Sequence, residues 1–194
     1  MAKPSTLLLL LLSIFIAGAA TRAAAPASTK FIRDKCGATQ YAALCVQSLS
    51  PYASKIKQSQ RELAQTALNV SLASAQSAEA FVRKLRGVKG LGRREAEALQ
   101  DCVDEMGDTV YQLSRSCHEL QRAAGAPYEE FRWRISNVQT WLSAALTDDN
   151  TCTDGFSGRA SNDNVKSSIG ARMVNVVHCT SNALSLINQY ASNH

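Results

Sequence analysis

Little in this sequence favours strands, catalysis or metal chemistry. Aromatic residues make up only 6% of the chain, and beyond residue 25 the prolines are Pro26, Pro51 and Pro127 alone. No Asn-Gly or Asp-Gly pair lies between alternating apolar residues; Asp154-Gly155 is the only such dipeptide and sits in a polar stretch. That excludes a hairpin-built sheet. Histidine occurs three times, as His118, His178 and His194. No two are four apart and there is no C-x-x-C, so a zinc site lacks its ligand spacing and no metal or cofactor is expected. His118 and His178 adjoin Cys117 and Cys179, but neighbours in a helix do not face each other, so neither pair makes an activated thiol. The glycines of GVKGLG, residues 87–92, have no strand before them and no P-loop lysine pattern. The carboxylate pairs Asp101/Glu105 and Asp104/Asp108 read as solvated charge. An enzyme is not expected.

What is present begins with an address. Lys3 precedes the apolar run TLLLLLLSIFIAGA at residues 6–19, and Ala17-Gly18-Ala19 and Ala23-Ala24-Ala25 fit a small-residue cleavage rule. The run is short for a span of about 20 apolar residues, so it reads as a cleaved secretory signal over residues 1–25 rather than an anchor. No second such run follows, and no membrane partner is expected after cleavage. Loss of Lys3 and Arg22 lowers Lys+Arg from 21 to 19 against 16 acids, a net charge of +3. That excess suits weak attraction to an anionic matrix and is too scattered for nucleic acid. About 169 residues remain, enough for one core.

The periodicity is helical throughout. Residues 26–51 form two short segments around Gly37, an α-hairpin with Thr39 able to cap its second half. Pro51 opens the bundle region, residues 52–194. Across residues 52–86, Ala64, Leu68, Ala75, Ala78, Val82 and Leu85 mark one face. After the glycine-rich break, Leu99, Val103, Met106, Val110, Leu113, Cys117, Leu120 and Ala124 alternate spacings of four and three, a bundle seam. Gly125 and Pro127 end it. Ile135, Val138, Leu142 and Ala145 repeat the spacing, a polar loop is expected over residues 147–163, and Ile169, Met173, Val176, Thr180, Ala183 and Ile187 mark the last face. Four such helices with short connections predict an all-α, antiparallel up-down-up-down four-helix bundle preceded by the hairpin. No repeated unit supports a helical array.

In a secreted chain six cysteines imply disulfides. Cys36 and Cys45 flank Gly37 and can clip the hairpin. Cys102 starts the second long helix and Cys152 follows the third, and antiparallel neighbours bring those ends together. Cys117 and Cys179 fall on diagonal helices, too far apart to bridge, and are expected as buried free thiols.

With these pieces in hand, a resemblance is visible. The chain resembles the plant pectin methylesterase inhibitors, whose family also holds the plant invertase inhibitors. IRDKCGATQYAALCVQSL (32–49), ALQDCVDEMGDTVYQLSRS (98–116), RISNVQTWLSAALTDDNTCTDGF (134–156) and SNALSLIN (181–188) carry it, over nearly the whole mature chain. The resemblance implies the hairpin-plus-bundle fold, the same two disulfides, and a non-covalent one-to-one complex that covers the target's polysaccharide cleft. It also implies a place in the cell wall. The wording of the third segment, and the absence of Pro-Lys-Phe, place the chain nearer the esterase inhibitors than the inhibitors of acid invertase. A secreted helical protein that carries a small apolar ligand, or acts in signalling, is the alternative of a different class.

From Ile135 to Leu146 there is no charge. Opposite the buried side, at 100° per residue, stand Ser136, Thr140, Ser143, Ala144 and Thr147, a small uncharged face suited to close approach by a partner. On the preceding helix the outward face carries Asp101, Glu105, Asp108, Gln112 and Arg115; of these Glu105, Asp108 and Gln112 are the candidates for contact. Asn69-Val70-Ser71 is a glycosylation sequon off the apolar stripe.

Overall fold

The computed structural model describes residues 26–88, 90–156 and 163–193. The signal segment, residues 1–25, and its cleavage site lie outside the described residues. The described chain is helical: α1 (Ala27–Cys36), α2 (Ala42–Leu49), a short 3-10 turn (Ser50–Tyr52), α3 (Ala53–Ile56), and four long helices, α4 (Gln60–Arg86), α5 (Arg93–Ala123), α6 (Tyr128–Asp154) and α7 (Asp163–Ala191). α4 packs on α5 and α7, and α6 packs on the same two, so α4/α6 and α5/α7 are the diagonals. The most extensive contact is between α5 and α6.

The seams explain the packing. Leu99, Val103, Met106, Leu113, Cys117 and Leu120 are buried on α5, and Val138, Leu142 and Ala145 on α6. Of the remaining expected seam positions, Val110 is half-buried and packs against the core, while Ala124 is half-buried and is corrected. A second stripe takes their share. Glu95, Cys102, Thr109, Ser116 and Ala123, each seven residues on from the last, are all buried. These small or hydrogen-bonded side chains let α6 approach closely, which widens the buried wedge of α5 beyond one apolar row.

Residues 147–154 correct the expected polar loop. They continue α6 without a break. Its buried positions run Phe131, Ile135, Val138, Leu142, Ala145, Asp149 and Cys152, spacings of four and three to the end. Asp149 is 0% exposed and occupies a seam position because Thr109 on α5 donates a hydrogen bond to it at 3.0 Å. The first part of the expected loop, residues 147–154, is therefore helix.

The first bundle helix also starts later than expected. α3 ends at Ile56, and α4 begins at Gln60 with Ser59 as N-cap, its hydroxyl accepting from the Glu62 N–H at 3.2 Å. Between them Lys57 has φ 53° and ψ −114°, a region costly for a residue with a Cβ. Lys57→Gly is expected to raise stability by about 1 kcal/mol despite glycine's larger unfolded-state entropy, measured by urea denaturation; a loss would show that the backbone relaxes there.

The hairpin is part of the core. Ile32, Cys36, Cys45, Leu49 and Ile56 are all buried. Covered by it on one side and by the bundle on the other, α4 buries six residues in a row, Leu63 to Leu68. Polar contacts fix its register on α7. The Asn182 side chain accepts from the Tyr41 N–H at 3.1 Å and donates to the Tyr41 carbonyl at 3.0 Å. The Tyr41 and His178 rings stack with centroids 3.5 Å apart.

Cys36 is bonded to Cys45, with Cα atoms 5.6 Å apart, and Cys102 to Cys152, with Cα atoms 4.3 Å apart. Cys117 and Cys179 are free and buried. Burial pushes the Cys117 thiol up to about 11 and raises that of Cys179, so both stay protonated and unreactive. No helix among the described residues is long and apolar enough to cross a membrane.

Candidate functional site

Two adjoining surfaces of α5 and α6 gather most of the residues of interest. On α6, Ser136, Thr140, Ser143 and Thr147 are exposed. Three of these hydroxyls donate to the carbonyl four residues back: Thr140 at 2.9 Å, Ser143 at 2.9 Å and Thr147 at 3.1 Å; Thr151 continues the pattern at 3.0 Å. Their donors are used within the helix, so the row turns methyl groups and hydroxyl lone pairs outward. Side chains held this way lose little further freedom when covered. Ala144 departs from the expectation and is half-buried toward α5.

Sequence periodicity missed what borders this row. Trp133, 60% exposed, lies one turn before Ser136 on the same face. In the groove between the helices the Arg115 guanidinium lies 3.9 Å from the Trp141 ring centroid and 5.2 Å from that of Tyr111. Tyr111 is 58% exposed. Trp, Tyr and Arg are the residue types enriched at interface hot spots, and stacking on the rings holds the guanidinium in place. A visible signal was there: Tyr111 and Arg115 are four apart, and Trp141 is the one aromatic residue in the uncharged stretch 135–146.

The α5 candidates sit beside this stack. Asp108 is exposed, while Glu105 and Gln112 are half-buried in the groove rather than on an outward face. The Gln112 Oε1 is buried without a hydrogen-bond partner. Farther along, burial raises the Asp148 carboxyl, and the charges of Glu105 and Asp108 raise it further. These acids therefore share one end of the groove. Beneath them burial pushes Asp149 up to about 7, against the Thr109 hydrogen bond, with Asp148 adding to the rise. At the other end Arg134 bridges Glu119 at 3.1 Å and Glu130 at 2.6 Å, and Asn137 donates to Glu119 at 3.3 Å.

The sequence-level candidates elsewhere do not join this face. Asn69 is exposed on α4, the helix diagonal to α6. His118 is exposed while its neighbour Cys117 is buried, and His178 is stacked on Tyr41. Among the described residues no cluster of His, Cys, Asp and Glu could hold a metal ion.

The bundle is stapled by disulfides, and its α5/α6 side carries a partly uncharged face with an arginine–aromatic stack at its centre. Residues 30–186 match the plant invertase/pectin methylesterase inhibitor family, and this chain belongs to it. The family consists of inhibitor proteins, not enzymes. The chain is 45% identical over 190 residues to the 21 kDa protein of Daucus carota, covering 98% of this chain and 96% of that one. It is 50% identical over 167 residues to pectinesterase inhibitor 9 of Arabidopsis thaliana, covering 84% and 82%. Its fold matches a crystal structure of a mutant pectin methylesterase inhibitor from Arabidopsis with a TM-score of 0.64 at 22% identity, covering 84% of this chain and 96% of that one.

Proposed function

We propose that this chain is secreted into the plant cell wall and inhibits a pectin methylesterase there by steric occlusion. It binds the enzyme non-covalently, one to one, and the outer face of α5 and α6 lies over the polysaccharide cleft and keeps pectin out. No residue performs chemistry. The observation that carries this reading is the exposed, internally hydrogen-bonded row of Ser136, Thr140, Ser143 and Thr147 beside the Tyr111–Arg115–Trp141 stack. It combines close approach with an anchor and spares entropy. Glu105, Asp108 and Gln112 flank the anchor, and the two carboxylates offer acceptors to donors on the enzyme. A glycan at Asn69 would leave this face free, since α4 is diagonal to α6.

Two alternatives have less support. Inhibition of acid invertase has the family description behind it, but the relatives compared above by name are pectinesterase inhibitors where their names state a target. A carrier of a small apolar ligand needs an interior cavity. Among the described residues the larger cavities, about 310 Å³ beside Phe156 and Ile169 and about 320 Å³ beside Phe131 and Ile135, open at the surface, and the interior gap beside Cys45, Leu49 and Cys179 holds only about 10 Å³, room for no more than a water.

Purified chain at micromolar concentration should slow pectin demethylation by a plant esterase and leave acid invertase untouched. Slowing of neither enzyme would remove both inhibitor readings for the isoforms tested. Thr140→Arg places a long cation in the middle of the row and is expected to weaken inhibition about 100-fold, roughly 2.7 kcal/mol. Since Thr140 is exposed, the melting temperature should move little. An unchanged inhibition constant would exclude this row from the contact.

A further inference from the structure

We propose that the exposed cations at the joined ends of α4 and α5 bind a carboxylated acidic polysaccharide. Between residues 83 and 94 the sequence holds no acid, while Arg83, Lys84, Arg86, Arg93 and Arg94 are all exposed. Two of them are neutralised locally: Arg83 by Glu79 at 2.6 Å and Arg93 by Glu97 at 2.9 Å. Arg86 donates only to the neutral Gln100 side chain at 2.6 Å, a contact that also draws the end of α4 against the second turn of α5. Among the described residues Lys84 and Arg94 have no ion-pair partner within 4.0 Å. Lys84, Arg86 and Arg94 are therefore exposed cations near the joined helix ends without an ion-pair partner among the described residues, Arg86 being held by a Gln100 side chain that also donates to Asp104 at 3.0 Å.

The position of Arg94 points to a role outside folding. Arg83, Lys84 and Arg86 lie in the last turn of α4, where the helix dipole favours cations. Arg93 and Arg94 are the first two residues of α5, where the dipole is positive and cations are disfavoured. The first turn of α5 is instead held by Glu95, whose carboxylate accepts from the Gly92 N–H at 2.9 Å. A cation that works against its own helix and has no partner is explained by something it meets.

The chemistry of that ligand is anionic and hydrophilic. No aromatic residue occurs between residues 83 and 94 to stack on bases, which disfavours nucleic acid. The choice of a carboxylated polysaccharide among the remaining polyanions rests on the extracellular reading above. Arg94 lies about 20 Å along α5 from Asp108, so a polymer held here leaves the α5/α6 groove open. The chain can then stay on the wall polymer while its other surface meets the enzyme.

Binding is tested without any enzyme, so its failure is separate from failure of the inhibitor reading. Wild-type chain should bind polygalacturonate at about 20 mM salt and release it by about 0.3 M as charges are screened. It should not bind the same polymer when fully methyl-esterified. The Lys84→Gln, Arg86→Gln, Arg94→Gln triple variant should bind at least tenfold more weakly. Arg94→Glu alone should weaken binding while raising the melting temperature, because it turns an unfavourable dipole contact into a favourable one. Equal binding by the triple variant and wild type, or equal binding of the methyl-esterified polymer, would overturn the proposal. Tighter binding of duplex DNA than of polygalacturonate would overturn the assignment to a polysaccharide.

Discussion

Asp149→Asn is expected to flatten the dependence of stability on pH between about pH 4 and pH 7. The ordinary aspartate value is 3.8, and in the folded chain burial pushes Asp149 to about 7. The folded state thus holds a proton that the unfolded state has released. The stability this contributes is full below about pH 4, falls as pH rises through the window, and is gone above about pH 7. A shift of about three units corresponds to about 4 kcal/mol. Burial is the main cause. Thr109 opposes it by donating to Oδ1 at 3.0 Å, while the Oδ2 atom is buried without a partner, and the neighbouring Asp148 adds repulsion. Asparagine keeps the acceptor for Thr109 and cannot ionise. Urea denaturation at pH 4.5 should find the two proteins within about 1 kcal/mol, the cost of burying one amide hydrogen. At pH 7.5 the variant should be more stable by about 2 kcal/mol or more. Parallel pH profiles for the two proteins would show that the carboxylate is solvated.

Removing the Cys102–Cys152 bridge should have an effect of similar size and opposite sign. It closes a separation of 50 residues, for which the chain-entropy estimate is about 4 kcal/mol, against about 2.5 for the separation of 9 between Cys36 and Cys45. The Cys102→Ala, Cys152→Ala protein should lose that stability in urea, and a loss below about 1 kcal/mol would show that α5 and α6 hold together without the staple. The two predictions are coupled. Asp149 lies one turn before Cys152, and without the bridge the end of α6 frays and admits water to the carboxyl. The pH dependence should therefore shrink in the bridge-less protein, and Asp149→Asn should gain less there than in wild type.

Much of this fold was legible from residue order. The strict spacings of α5 and α6 identify bundle seams because a helix returns to one face every three to four residues, and short connections make consecutive helices antiparallel neighbours. The Cys102–Cys152 bridge follows from the same reasoning, since antiparallel packing brings the start of α5 to the end of α6, and the Cys36–Cys45 bridge from the two short segments that flank Gly37. The uncharged stretch of α6 announced its outward row for the same reason: once Ile135, Val138, Leu142 and Ala145 face inward, Thr140 faces out.

Other features depended on which helices touch. Asp149 reads as a loop residue until Thr109 on another helix supplies its hydrogen bond, and α6 then continues to Asp154. The stripe Glu95, Cys102, Thr109, Ser116 and Ala123 carries no hydrophobic signal, yet α6 buries it because small side chains permit close approach. The break at Lys57–Ser59 exists because the hairpin must turn back over α4, which no local pattern records. The groove that sets Arg115 on Trp141 joins residues 26 positions apart in sequence. Sequence by itself determined the helices, their inward faces and the staples, because these follow from chain periodicity and connectivity. Tertiary structure decided which polar groups are buried and which surfaces adjoin, because burial and adjacency belong to pairs of helices and are set only when they pack.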